Sequence, residues 1–209
     1  MADKIEVAPE LRVLLYDIET SPNLGYVWGK YEQNILGDFV QERQIISFAW
    51  KWLGEKEVQV VRVDNKLNNF GIVKILWALM DRADVVVAHN GMAFDDKLSY
   101  TEFVLHGLKP PARHKSVDTL KVVKKFFKFN SNKLNDLGKR LGLGEKVQTG
   151  GFQLWVGCLK NDPAAWKKMM EYNKQDVVLL EKVYHRILPW ITNHPQWKQN
   201  KKTKEWKVR

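Results

Sequence analysis

One cysteine, Cys158, is all that the 209 residues offer, so no internal disulfide can form. The five histidines, His89, His106, His114, His185 and His194, follow no metal-ligand spacing, and no Cys/His cluster points to structural zinc. They read as solvated or capping residues. No apolar run approaches the ~20 residues of a membrane span. The opening Met-Ala-Asp-Lys-Ile-Glu lacks the apolar centre of a secretory signal. Secreted, membrane-spanning and disulfide-scaffold classes are therefore excluded; a cytoplasmic protein with no membrane partner is expected. Internal repeats and low-complexity linkers are also missing. What remains, 44% hydrophobic and 28% charged residues, suits one globular domain that buries roughly 70% of its unfolded surface.

The charge is unevenly spread. The chain carries 34 basic and 24 acidic side chains, a formal +10. Residues 121–146 hold a net +6 and residues 198–209 a net +5, which leaves the remainder at −1. Two concentrated positive segments on a near-neutral body suit a polyanion partner, with surface lysines kept for solubility as the plainer alternative.

Pattern and punctuation give the element order. Residues 12–18 (RVLLYDI) form a β-branched and leucine-rich run fit for a central strand. Residues 20–42 read as loop. Residues 44–52 and 57–63 read as a hairpin about Gly54. Apolar positions 72, 73, 75, 76, 79 and 80 give 70–80 a helical face, and 85–88 is a short buried strand. A helix over 94–108, an extended piece at 114–117 and helices over 120–129 and 134–141 follow. Residues 145–157 read as a glycine-containing loop. Asp162-Pro163 caps a helix that runs to about Leu188, where Pro189 stops it. The expected fold is α/β: a mixed sheet, antiparallel meander plus parallel strands, flanked by helices. One domain over 1–195 and a frayed basic tail over 196–209 are expected.

Three separated places set carboxylates where a core would not want them. Asp17 and Glu19 end the first strand and point to the same face, because side chains alternate along a strand. Asp95 opens a helix just after the strand at 85–88, at the sheet edge where open α/β folds place ligands. Asp176 lies on the last long helix with Tyr172 one turn before it, on the side of Met169, Leu179, Leu180 and Val183. If these acids converge, each pair ~4 Å apart repels by about 4 kcal/mol at an effective dielectric near 20. Retained protons or divalent cations must relieve that repulsion, and all-oxygen ligands select Mg²⁺ or Mn²⁺. Two such ions would serve phosphodiester hydrolysis.

The set Asp17-Ile18-Glu19-Thr20, Asn90-Gly91-Met92-Ala93-Phe94-Asp95 and Tyr172-Asn173-Lys174-Gln175-Asp176 resembles the DEDD 3′–5′ exonucleases of ribonuclease H-like fold. It is most similar to the tyrosine-bearing (DEDDy) branch, which includes proofreading domains of family B DNA polymerases and stand-alone bacterial and phage relatives. Glu171 stands where the histidine branch would carry its histidine, five residues before the last Asp. The resemblance runs from about residue 11 to 190. It implies hydrolysis from the 3′ end of nucleic acid, DNA and single strands by preference, releasing nucleoside monophosphates. It implies that Asp17, Glu19 and Asp176 hold the catalytic ion, that Asp17 also reaches a second ion, and that Asp95 binds the second ion through water. Tyr172 would orient the attacking water, and Asn90 and Phe94 would shape the pocket for the terminal nucleotide. A bacterial or phage-infected cell and a separate replication or repair partner are the implied setting. The alternatives are a catalytically silent nucleic-acid-binding module and a metal-dependent endonuclease on the same scaffold.

Lesser candidates remain. Asp118 or Ser116 reads as a helix cap, with Asp118 alternatively supporting the site. Lysines from Lys121 to Lys133 alternate with aromatics; the lysines are expected to meet the strand, Lys133 among them, while at least two of Phe126, Phe127 and Phe129 pack inward. Trp50 and Trp52 share a strand face, and Trp155, Trp166 and Trp190 are expected to cover sheet or helices.

Overall fold

The computed structural model describes residues 11–31, 34–146, 148–192 and two short strands at 197–199 and 206–208. Five strands form the main sheet in the order β3-β2-β1-β4-β5. β1 (Val13–Thr20), β2 (Ile45–Trp52) and β3 (Gln59–Arg62) make the antiparallel meander. β4 (Val85–Ala88) runs parallel to β1, and β5 (Lys115–Asp118) parallel to β4. Helices α1 (Phe70–Asp81), α2 (Asp95–Leu105), α3 (Thr119–Phe126), α4 (Leu134–Arg140), α5 (Gln153–Leu159) and α6 (Pro163–Ile187) flank it. This is the expected mixed α/β architecture. No helix among the described residues is long and apolar enough to cross a membrane.

Alternation along β1 separates two cores. Leu14, Tyr16 and Ile18 enter one cluster, with Phe48 of β2, Leu76 of α1 and Phe103 of α2. Val13 and Leu15 enter the other, with Val87, Val123 of α3, Leu137 of α4 and Val177, Leu180 and Val183 of α6. Asp17 and Glu19 continue the second row, so the strand's pleat carries them to the face that α6 covers. Trp50 and Trp52 both pack against the first cluster.

α6 starts as its sequence implies: the Asp162 side chain accepts from the Ala164 N–H at 2.9 Å and Pro163 holds the first helical position. Its 25 residues cross the sheet and contact β1, β2 and β3. Beyond Ile187 the chain tightens into a 3-10 turn, Leu188–Trp190.

Three expectations need correction. Residues 145–157 are not all loop, because α5 begins at Gln153. Leu154 and Cys158, one turn apart, are both buried, and α5 packs on α6. Gly157 permits that approach, since a Cβ there would meet the Ala165 Cβ at 2.7 Å. α3 stops at Phe126 rather than 129; Phe127 is extended, with its ring 5.7 Å from Phe129 and 5.1 Å from Trp190, while Phe126 stays exposed. Phe127 and Phe129 pack against the second core, so two of the three phenylalanines lie inward as expected. Near the C-terminus, β6 (Trp197–Gln199) and β7 (Trp206–Val208) pair antiparallel, where a frayed tail was expected. His194, the boundary at 195 and most of the basic tail lie outside the described residues.

Candidate active site

β1 and α6 bring the first acids together. One carboxylate oxygen from each of Asp17, Glu19 and Asp176 lies within 4.8 Å of the others. Asp17 and Glu19 are half-buried and Asp176 is buried. Asn173, one turn before Val177 and fully buried, fixes the crossing of the two elements. Its amide Nδ2 donates to Asp17 Oδ2 at 2.8 Å and to the Asp17 carbonyl at 3.1 Å, while its Oδ1 accepts from Ser47 Oγ at 3.0 Å. Ser47 pairs with Glu19 across β1 and β2, so one amide links three segments.

Asp95 stands beside this trio. Its Oδ1 accepts from the N–H of Ile18, the residue between Asp17 and Glu19, at 3.2 Å. The neighbouring Asp96 accepts from the Tyr16 hydroxyl at 2.7 Å, and Glu102 accepts from the Ile45 N–H at 2.9 Å. The buried stripe of α2 is thus polar and docks on edges of β1 and β2 through hydrogen bonds.

Burial and crowding raise every carboxyl in the cluster. Burial pushes Glu19 up to about 8, with Asp176 adding repulsion and Lys146 opposing it. Asp95 rises to about 7, mainly through burial and against the Ile18 N–H. Asp17 lies well above the usual carboxylate range, through burial and then repulsion from Asp176, Asp95 and Glu19. Asp176 is raised by burial while Lys146 pulls the other way. Tyr172, half-buried, is also shifted up, by burial first and then by Asp176.

Two further side chains belong to the site. Lys146 Nζ lies 2.5 Å from Asp176 Oδ2 and 3.3 Å from the Tyr172 hydroxyl, over the Tyr172 ring. Burial works against its charge, yet Asp176, Asp17 and Glu19 raise its pKa on balance. Trp155 sits edge-on to Tyr172, with ring centroids 6.3 Å apart, and its nearness to Glu19 works against that carboxyl's upward shift.

The candidate substrate residues separate. Asn90 and Lys133 line one cavity of about 590 Å³ together with Lys124, Asn132 and Lys146. Phe94 instead packs against the first core at the start of α2. Asn90 holds a left-handed backbone, φ +69°, which Asn tolerates better than most residues. Its N–H donates to Asp118 Oδ1 at 2.9 Å, and the same carboxylate caps α3 through the Leu120 and Lys121 N–H groups. Asp118 is the cap expected of it. His89 is neither solvated nor capping: its ring bridges Thr119 Oγ1 at 2.8 Å and the Asn132 carbonyl at 2.9 Å, and burial lowers its pKa.

The donors suit a hard cation. They are all oxygens, they repel one another, and Asp176 Oδ1 is buried with no hydrogen-bond partner. A divalent ion would relieve both the repulsion and the orphaned oxygen.

A mixed five-stranded sheet with carboxylates on its central strand and on a crossing helix defines a ribonuclease H-like protein. A family model described as the RNase H superfamily matches residues 14–188, and the chain belongs to that superfamily. Among solved structures it is similar to the family B DNA polymerase of the hyperthermophilic archaeon Pyrobaculum calidifontis, with a TM-score of 0.63 and 18% sequence identity. The likeness is one of fold. It covers 89% of this chain and 26% of the polymerase, so the chain spans about a quarter of that protein's length. No curated protein matches the sequence.

Proposed function

We propose that the chain is a two-metal-ion 3′–5′ exonuclease of the DEDDy type, which removes nucleoside monophosphates from the 3′ end of nucleic acid, single-stranded DNA by preference. Superfamily membership indicates a nuclease with nucleic acid as substrate. The observation that carries the finer reading is the convergence of Asp17, Glu19 and Asp176 within 4.8 Å, with Tyr172 and Asp176 both in contact with the same Lys146 ammonium.

In this reading Asp17, Glu19 and Asp176 hold one divalent cation, Mg²⁺ or Mn²⁺, and Asp17 with Asp95 serves a second. When bound, the ions would supply Lewis-acid charge at the scissile phosphate and lower the pKa of a water. The chain's own groups do the rest. Asn173 fixes the Asp17 carboxylate, and the Ile18 N–H fixes Asp95. The Tyr172 hydroxyl, kept protonated by burial, orients the attacking water. Asn90 and Lys133 meet the strand in the adjoining cavity, and Phe94 acts from behind it by packing the α2 start. A replication or repair protein of a bacterial or phage-infected cell is a partner that suits this role.

One observation favours a second reading. Lys146 already neutralises Asp176, as it would in a silent nucleic-acid-binding module. End-labelled linear and circular substrates with Mg²⁺ or Mn²⁺ decide between them. A ladder shortening from the 3′ end supports the exonuclease; intact substrate with retained binding supports the silent module; nicked circles contradict both.

A further inference from the structure

Next to Thr20, the residue that follows Glu19, the surface opens into a cavity of about 470 Å³. One wall is the root of the loop between β1 and β2, with Thr20, Asn23 and Arg43; the other is the start of α5, with Phe152 and Trp155. The walls differ in chemistry. Trp155 stands edge-on to Tyr172 at the acids, with ring centroids 6.3 Å apart. Phe152 keeps its ring 61% exposed to water. Opposite them Arg43 is exposed, and its guanidinium makes no ion pair among the described residues. The Arg43 N–H donates to Asn23 Oδ1 at 2.6 Å, which closes the loop's root and holds that polar wall in place.

The contents of such a cavity must satisfy both walls. An apolar peptide would desolvate Arg43, Asn23 and Thr20 without partners, and a bare phosphate would leave the aromatic wall wet. A flat heteroaromatic ring with a polar edge and an attached phosphate meets each wall in kind. The volume lies in the range of small-ligand sites. Tyr26 and Tyr31, 70% and 89% exposed, carry further aromatic surface along the same loop.

We propose that this cavity is a nucleobase subsite, in which Phe152 and Trp155 hold a base within a nucleotide or two of the cut and Arg43 takes the adjoining phosphate. It rests on the reading that the neighbouring acids cut nucleic acid. Phe152 acts here by contact with the base, not on the reacting atoms.

Photocrosslinking in EDTA tests it with the full chain and single-stranded oligonucleotides carrying 5-iodo-2′-deoxyuridine at the terminal, penultimate or a distant position. Adducts on Phe152 or Trp155 from the first two positions and not from the third are expected. Binding is then compared on oligonucleotides that are normal or abasic at whichever of the two 3′ positions crosslinks. Wild type should bind the abasic strand about tenfold more weakly, the lower end of base–aromatic stacking. Phe152→Ala, a change at an exposed ring, should lose that factor on the normal strand and nothing more on the abasic one. Arg43→Gln should weaken both strands alike and flatten the salt dependence. Adducts elsewhere, or a Phe152→Ala protein that still discriminates, would overturn the subsite. A 3′ ladder made by an insensitive protein contradicts the subsite alone, whereas absence of any ladder contradicts the exonuclease reading and leaves the crosslinks to decide the subsite.

Discussion

Lys146 Nζ lies 2.5 Å from Asp176 Oδ2, while Asp176 Oδ1 is buried without a partner. One oxygen of the carboxylate is thus neutralised by a side chain, and the other is left without a partner. The pair is largely sheltered, with side-chain exposures of 25% and 1%. Removing Lys146 leaves a buried carboxyl with no counter-ion, a defect that costs several kcal/mol in full burial and less with partial solvent access. Lys146→Met should therefore lose about 2 kcal/mol of stability in EDTA, and less when Mn²⁺ is present. Chemical denaturation under both conditions checks this. Equal losses would mean that lysine and metal do not answer the same charge.

Asp17→Asn separates chemistry from folding. Asn173 can still donate to the retained amide oxygen, so the crossing of β1 and α6 survives. Mg²⁺-dependent cleavage should fall at least 10³-fold, an order set by losing a metal ligand. Thermal stability in EDTA should rise, because one member of the repelling group becomes neutral. A large drop in melting temperature would mark Asp17 as structural instead.

The acids also set a pH dependence. Glu19 is pushed up to about 8 and Asp95 to about 7, with Asp17 and Asp176 raised as well. In the unfolded chain such groups lose their protons near pH 4. Between about pH 5 and 8 the folded protein therefore holds more protons than the unfolded chain, so stability falls as pH rises through that window. Melting temperatures in EDTA should decline across it, and Mn²⁺ should flatten the decline. A profile that rises with pH would contradict the clustering.

Lys124, Lys133 and Lys146 line one cavity next to the acids. Each phosphate met there should add roughly 0.7 to the slope of log affinity against log salt on single strands. Lys133→Ala should weaken binding and reduce the slope by about that amount. An unchanged slope would take Lys133 off the strand's path.

Much of this was legible because it rests on local periodicity. The pleat of β1 alone puts Asp17 and Glu19 on one face, and helical spacing alone sets Tyr172 above Asp176. Asp162-Pro163 announces α6 by cap chemistry. What stayed hidden is tertiary. Lys146 sits in coil after Gly142 and Gly144, and no pattern ties it to a helix thirty residues on. Asn173 lies inside a quoted motif, yet its role depends on Ser47 and Asp17 meeting it across the sheet. α5 was missed because Gly150, Gly151 and Gly157 read as loop, although Leu154 and Cys158 carry the i, i+4 signal. His89 gave no hint of its bridge, since Thr119 and Asn132 reach it from other elements.

The most direct measurement is anomalous diffraction from crystals of the full chain soaked in Mn²⁺. An anomalous peak among Asp17, Glu19 and Asp176, with Lys146 drawn away from Asp176, is the expected result. Acids found apart, or an empty cluster with Lys146 still seated on Asp176 at saturating Mn²⁺, would contradict the account.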